Sequence, residues 1–148
     1  MRNAFATELG PCVSQVLETM FFTSVLSCSE SNGYVQPIGG LDHVPGVIDF
    51  HGPPDGKLCL CCSREAITAL SASFLGVDES EVSAKNSEQV AGELANMICG
   101  SVLSRCAPKS LFRLEESKSP ACQHECDTSF SIEIPEGLIT ICARVDRL

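Results

Sequence analysis

The chain has 148 residues, 44% of them hydrophobic and 20% charged, with a formal net charge of −9. A single domain of that length buries about 70% of its unfolded surface without crosslinks or metal, and the composition is that of a folded chain rather than a disordered one. No apolar run reaches the roughly 20 residues that a membrane span requires, and the acidic balance argues against nucleic acid, whose binders carry basic patches that displace counterions.

Met1-Arg2-Asn3-Ala4 leads to Glu8 rather than to an apolar signal core, so the expected compartment is the cytoplasm. From 10 to 28 the residues Val13, Val16, Leu17, Met20, Phe21 and Val25 recur at three- and four-residue spacing, which predicts a helix with one buried stripe. Gly10-Pro11 opens it and the Ser-Glu-Ser-Asn-Gly run at 29–33 ends it. Extended stretches are expected at 34–38 and 44–51. The second of these is joined to another at 57–62 through Gly52-Pro53-Pro54-Asp55-Gly56, a hairpin with a five-residue loop.

Ser63 reads as the N-cap of a short helix with Ala66, Ile67, Leu70 and Phe74 on its apolar stripe, stopping at Gly76. A longer helix is expected over 87–106, with Val90, Ala91, Leu94, Ala95, Ile98 and Val102 buried and Pro108 marking its end. A short strand at 111–114, a polar loop at 115–125 and a second hairpin, 128–134 with 138–145 across Pro135-Glu136-Gly137, complete the chain. The fold class is therefore α+β, with helices packed on a mostly antiparallel sheet.

Ten cysteines would suggest a disulfide framework in a secreted chain. Here several lie inside apolar segments, as in Leu58-Cys59-Leu60-Cys61-Cys62 and Ile141-Cys142-Ala143, where cysteine serves as a small hydrophobe. The stretch Cys122-Gln123-His124-Glu125-Cys126 places two thiols and an imidazole close together. A structural zinc site wants four ligands and only Cys106 is a plausible supplement, so an exposed loop without metal is the expectation.

An internal repeat organises these elements. At an ungapped offset of 77, Leu17 falls over Leu94, Met20 over Met97, and Ser24-Val25-Leu26-Ser27 over Ser101-Val102-Leu103-Ser104. Each long helix is followed by three strand-like segments, so the chain reads as one domain over 1–148 built of two diverged helix-plus-three-strand units, about 10–76 and about 84–146. On the second long helix, at about 100° per residue, Gln89, Glu93, Asn96 and Gly100 fall nearly opposite the apolar stripe. A carboxylate and a carboxamide one turn apart thus point outward beside a glycine that lets another surface approach. By spacing alone this is also what any solvated helix face presents. At that offset the first helix has Val16 and Thr19, so only one repeat carries the pair.

The stretch Gly92-Glu93-Leu94-Ala95-Asn96-Met97-Ile98-Cys99-Gly100 resembles the Glu-x-x-Asn helix of the CheC, CheX and FliY chemotaxis phosphatases, and Leu17-Glu18-Thr19-Met20-Phe21-Phe22 resembles the opening helix of CheX-like domains. The resemblance implies a CheC-like α+β fold and an enzyme that removes the phosphoryl group from the aspartate of a CheY-like response-regulator receiver. It further implies that Asn96 orients the attacking water and that Glu93 contacts the receiver's active-site lysine, with Gln89 and Gly100 as flanking partner-binding positions. Phosphoryl transfer needs an in-line water and charge neutralisation more than it needs a nucleophile. The Mg2+ belongs to the receiver in this scheme, so no cofactor or metal of the chain's own is expected. A homodimer through a sheet edge is also implied. The chain departs from the family pattern at Gln89, where Asp or Ser is frequent, and at Pro120, one residue later than the family's proline.

The alternative is a non-catalytic module that docks on a receiver or another signalling protein through the same helix, and a third reading is a homo-oligomeric structural domain. His43, His51 and His124 are scattered without a nucleophile motif, and no Gly-rich loop followed by Lys-Ser or Lys-Thr is present. Acyl transfer and nucleotide binding are both disfavoured.

Overall fold

The computed structural model describes residues 2–31, 43–117 and 126–146. Three α-helices, α1 (Arg2–Met20), α2 (Arg64–Leu75) and α3 (Ala84–Cys106), accompany six strands: β1 (Ser27–Ser31), β2 (His43–His51), β3 (Gly56–Ser63), β4 (Arg113–Glu116), β5 (Thr128–Ile134) and β6 (Gly137–Val145). The strands form one sheet in the order β1-β5-β6-β3-β2-β4, with every pairing antiparallel. Exchanging β1, β2 and β3 with β4, β5 and β6 leaves that order unchanged, as two copies of a helix-plus-three-strand unit related by a pseudo-two-fold require.

Alternation in the central strands separates the two sheet faces. Leu58, Leu60 and Cys62 of β3 and Ile139, Ile141, Ala143 and Val145 of β6 join the core formed with the helices. The opposite face carries a smaller cluster of Val47, Cys59 and Cys142. Cys59, Cys62 and Cys142 of the apolar segments therefore act as core residues, removed from water like small aliphatic side chains, whereas Cys61 is half-buried.

The first helix differs from its expected span of 10–28. It starts at Arg2 and ends at Met20. Gly10-Pro11 is not its opening: Pro11 is exposed inside a continuous helix, and the turns before it bury Phe5 and Leu9 completely. The ring of Phe5 stacks on that of Phe50 at 5.8 Å. Burial of two such side chains contributes about 3–6 kcal/mol, enough to offset the hydrogen bond and crowding that a proline costs a helix. The C-terminus is set by Phe22 at φ 56°, after which Thr23 N–H reaches back to the carbonyl of Leu17 at 3.1 Å. Ser27 and Cys28, expected in the helix, lie in β1.

The other elements need smaller corrections. The α2 caps are as expected: Ser63 Oγ accepts from Ala66 N–H, and Gly76 closes the helix at φ 69°. The α3 helix starts three residues before the expected Ser87, because Ser83 and Asn86 form a reciprocal capping box. β4 begins at Arg113 rather than at 111 and takes in Glu115 and Glu116, which had been placed in a loop. The β2–β3 connection is one residue shorter than expected, since Gly56 already pairs with Phe50. The predicted stretch at 34–38 lies outside the described residues.

The repeat also has a different register from the one its identities suggest. The buried positions Phe5, Leu9, Cys12, Val13, Val16 and Leu17 of α1 recur on α3 at an offset of 82 and equally at one of 86, a helical turn apart. At the expected offset of 77, buried Val16 would face exposed Glu93, and 24–27, outside any helix, would match helical 101–104. The shared Ser-Val-Leu-Ser string is thus composition rather than structural equivalence. Nowhere along α1 does a Glu stand three residues before an Asn, so of the two long helices α3 alone carries the pair.

Candidate functional site on the third helix

α3 lies across β2 and β3, flanked by α1 and α2. Its buried residues Val90, Ala91, Leu94, Ala95, Ile98 and Val102 are those of the predicted stripe. Each large aliphatic among them contributes about 1.5–3 kcal/mol on burial, so the helix cannot rotate about its axis without losing several at once. Arg105 ties its last turn to α1 through Glu8 at 3.3 Å and through Gln15. The outward face is fixed by this inward one.

On that face Gln89, Glu93 and Asn96 are exposed. Among the described residues neither Glu93 nor Asn96 makes a side-chain hydrogen bond or ion pair within the chain. Both keep their full hydrogen-bonding capacity: two carboxylate oxygens in one case, an acceptor oxygen and two N–H donors in the other. As an i, i+3 pair their Cβ atoms lie about 5–6 Å apart. One turn further along the helix Cys99 is fully buried, and burial pushes its thiol up to about 12.

The pair lines one wall of an open groove of about 380 Å³ between α3 and β4. Lys85, Glu88, Gln89, Gly92, Glu93 and Asn96 come from the helix; Leu114, Glu115 and Glu116 come from the edge strand, and Ile48 of β2 lies between. Four carboxylates face one lysine there. Glu115 also holds His51 Nε2 at 2.8 Å, across the β2–β4 ladder.

Gly100, grouped with the site by helical spacing, is half-buried and lies outside this groove. It lines an adjoining pocket of about 170 Å³ with Leu103, Phe112 and Leu114, and Leu114 is shared with the groove. A Cβ on Gly100 would sit at ordinary contact distance, 3.7 Å, from Leu114 Cδ1. The β4 wall was missed by sequence reasoning. Its one local signal is the acidic pair Glu115-Glu116, and nothing local links that pair to a helix that precedes it in the chain.

Among the described residues no group of three or more His, Cys, Asp or Glu side chains is placed to hold a metal ion. Cys122 and His124 of the Cys-x-His-x-Cys stretch lie outside the described residues, as does Pro120. No helix among the described residues is long and apolar enough to cross a membrane.

The family model of the chemotaxis phosphatase CheX matches residues 44–138, well over half the chain and inclusive of the Glu93–Asn96 helix and β4. The chain belongs to the CheX family. None of the curated proteins matches it in sequence. Solved structures with the same fold include a CheC-like superfamily protein from Shewanella sp. PV-4, at 18% identity and a TM-score of 0.73 over 99% of this chain and 100% of that one. Another is the chemotaxis protein CheX from Vibrio vulnificus, at 17% identity and a TM-score of 0.70 over 99% of both. A CheX–CheY–BeF3–Mg2+ complex from Borrelia burgdorferi matches at 11% identity and a TM-score of 0.70, covering 97% of this chain and 98% of the other. At these identities the structures establish the CheC-like fold, and the family model establishes membership.

Proposed function

We propose that this CheX-family chain is a phosphatase that dephosphorylates the phospho-aspartate of a CheY-like receiver domain, with Asn96 orienting the attacking water and Glu93 contacting the receiver's active-site lysine. The observation that carries the reading is the Glu93–Asn96 pair itself: exposed, without side-chain partners among the described residues and held on a helix whose opposite face is locked into the core. That a CheX has been captured with CheY, BeF3 and Mg2+ supports a receiver as the partner.

In the reaction the water oxygen forms a bond to phosphorus as the bond to the aspartyl oxygen breaks. Orthophosphate leaves with the water's oxygen, the receiver's carboxylate is regenerated, and the water's proton goes to the phosphate. A carboxamide suits the orienting role because its oxygen can accept from the water while its N–H donates to an oxygen around the reacting phosphorus. The carboxylates of Glu88, Glu93, Glu115 and Glu116 make the groove attractive to a lysine ammonium and unattractive to free phosphate. Mg2+ is held by the receiver in this scheme and neutralises charge on the phosphoryl oxygens. Gln89 flanks the pair inside the groove as a partner contact, and Gly100 does so just beyond it.

A homodimer through a sheet edge fits the same reading. β4 borders the groove and carries three charged residues among its four, whereas β1, the other edge, is Ser-Cys-Ser-Glu-Ser and lies at the far end of the sheet. Charged edges resist strand addition, so β1 is the edge assigned to self-association, which leaves both grooves open. A cytoplasmic setting goes with a receiver partner.

The test is to mix the chain with phosphorylated receivers and follow orthophosphate release. Acceleration beyond the receiver's own hydrolysis is expected. A chain that accelerates none of them is not a receiver phosphatase, and tight binding without acceleration would identify a docking module instead.

A further inference from the structure

We infer that Gly46, in the middle of β2, is a positioning residue that sets the height of α3 above the sheet and thereby the placement of Glu93 and Asn96; the inference rests on the function proposed above. A Cβ built on Gly46 would lie 2.3 Å from the carbonyl oxygen of Ala91, 2.7 Å from its carbonyl carbon and 3.2 Å from the amide nitrogen of Gly92. These are main-chain atoms of a helix in mid-run. They cannot swing aside as a side-chain tip can, so any residue larger than glycine requires the helix to move. Conformation does not explain the glycine: the positive-φ glycines among the described residues are Gly76 and Gly137.

The contact sits one and two residues before Glu93, at the point where α3 crosses the strand. Ala91 and Ala95, both fully buried, continue the theme of small residues beneath this part of the helix. β2 also carries the opposite wall of the groove, because β4 pairs with it from Ile48↔Glu116 to His51↔Arg113. One strand therefore fixes both walls: the helix wall by backbone contact at Gly46, the strand wall by ladder hydrogen bonds two residues on. A methyl group at 46 would lift α3 by roughly 1 Å to restore ordinary contact, while β4 keeps its register. The groove would widen on one side only, carrying Asn96 away from where it must hold a water.

Gly56 supplies the control. A Cβ there would lie 2.2 Å from Phe50 Cζ and 2.4 Å from the carbonyl oxygen of Arg144, a clash of the same severity with no α3 atom among its nearest neighbours. If Gly46 were merely structural, Gly46→Ala and Gly56→Ala would both lose activity only in proportion to the fraction unfolded.

The experiment measures kcat and KM for dephosphorylation of a receiver that the wild type turns over, per folded molecule, for both variants. Gly46→Ala is expected to lower kcat about tenfold to a hundredfold with KM within about threefold, and Gly56→Ala to leave kcat unchanged. An unchanged kcat for Gly46→Ala, or equal losses in the two variants, overturns the assignment. Should Gly46→Ala not fold, Ala95→Val over-packs the same interface from the helix side and is read by the same two outcomes. Amide chemical shifts separate this inference from the phosphatase reading. Displacement of the 91–96 resonances in Gly46→Ala is expected whether or not a receiver is found, and their constancy would refute the lift by itself.

Discussion

Replacing Asn96 by alanine should stabilise the protein slightly while abolishing most of its activity, and the opposed signs are what make the substitution informative. Asn96 is exposed in the interior of α3 and makes no side-chain hydrogen bond among the described residues, so its removal breaks nothing in the fold. Alanine is the better helix former by about 0.5 kcal/mol, which for a domain of this size raises Tm by about 1–2 °C. Loss of a group that orients the attacking water should slow phosphoryl hydrolysis on the order of a hundredfold, or about 2.7 kcal/mol of transition-state stabilisation. Asn96→Asp should be no better, because a carboxylate cannot donate and adds a further negative charge to a groove that already holds Glu88, Glu93, Glu115 and Glu116. The assay is orthophosphate release from a phosphorylated receiver, with thermal unfolding of the same samples. Full activity in Asn96→Ala would refute the role, as would a rate loss that merely tracks a fall in Tm.

Ile98→Ala, at a fully buried position on the opposite face of the same helix, should cost about 2–5 kcal/mol in denaturant unfolding and leave turnover per folded molecule near wild type. The Cys99 thiol is raised by burial from 9.0 to about 12, so the fold binds its proton more tightly than the unfolded chain does. That contribution is complete below about pH 9 and is lost as pH rises toward 12. The urea midpoint should therefore fall more steeply between pH 8 and pH 10.5 in wild type than in Cys99→Ala, and parallel curves would contradict it. Pro11→Ala, at an exposed position inside α1, should restore a helical hydrogen bond and raise stability by about 1–3 kcal/mol; a fall would mean that the proline shapes the seating of Phe5 and Leu9.

What the sequence revealed follows the range of the interactions involved. α2 was legible to within a residue because its limits are local chemistry, the Ser63 cap and the left-handed Gly76. The inward face of α3 was legible because periodicity alone separates Leu94 and Ile98 from Glu93 and Asn96. The N-terminal half of α1 was not, since Pro11 is a local helix breaker whose effect is overridden by Phe5 packing on Phe50, some forty-five residues away in sequence. The β4 side of the groove was hidden for the same reason. Leu114, Glu115 and Glu116 become a wall only when they pair with β2, and Gly46 acquires its meaning only where α3 crosses that strand.

The two units differ in what their long helices and edge strands present. The sheet order is symmetric, and α1 buries the same positions as α3, so symmetry alone would give α1 an equivalent outward face. That face has no Glu three residues before an Asn, and it carries the exposed Pro11. Proline offers no side-chain donor or acceptor and weakens the helix that carries it. The residue at the end of the strand wall differs too: β4 contributes Glu115 and Glu116 to the groove, whereas β1 is mostly serine. Both walls have diverged together, the helix wall in its motif and the strand wall in its charge. Divergence confined to α1 would be expected if the helix pair acted alone. Divergence of helix and edge strand together makes the groove between them, rather than the Glu-x-x-Asn helix by itself, the unit to which the proposed function attaches.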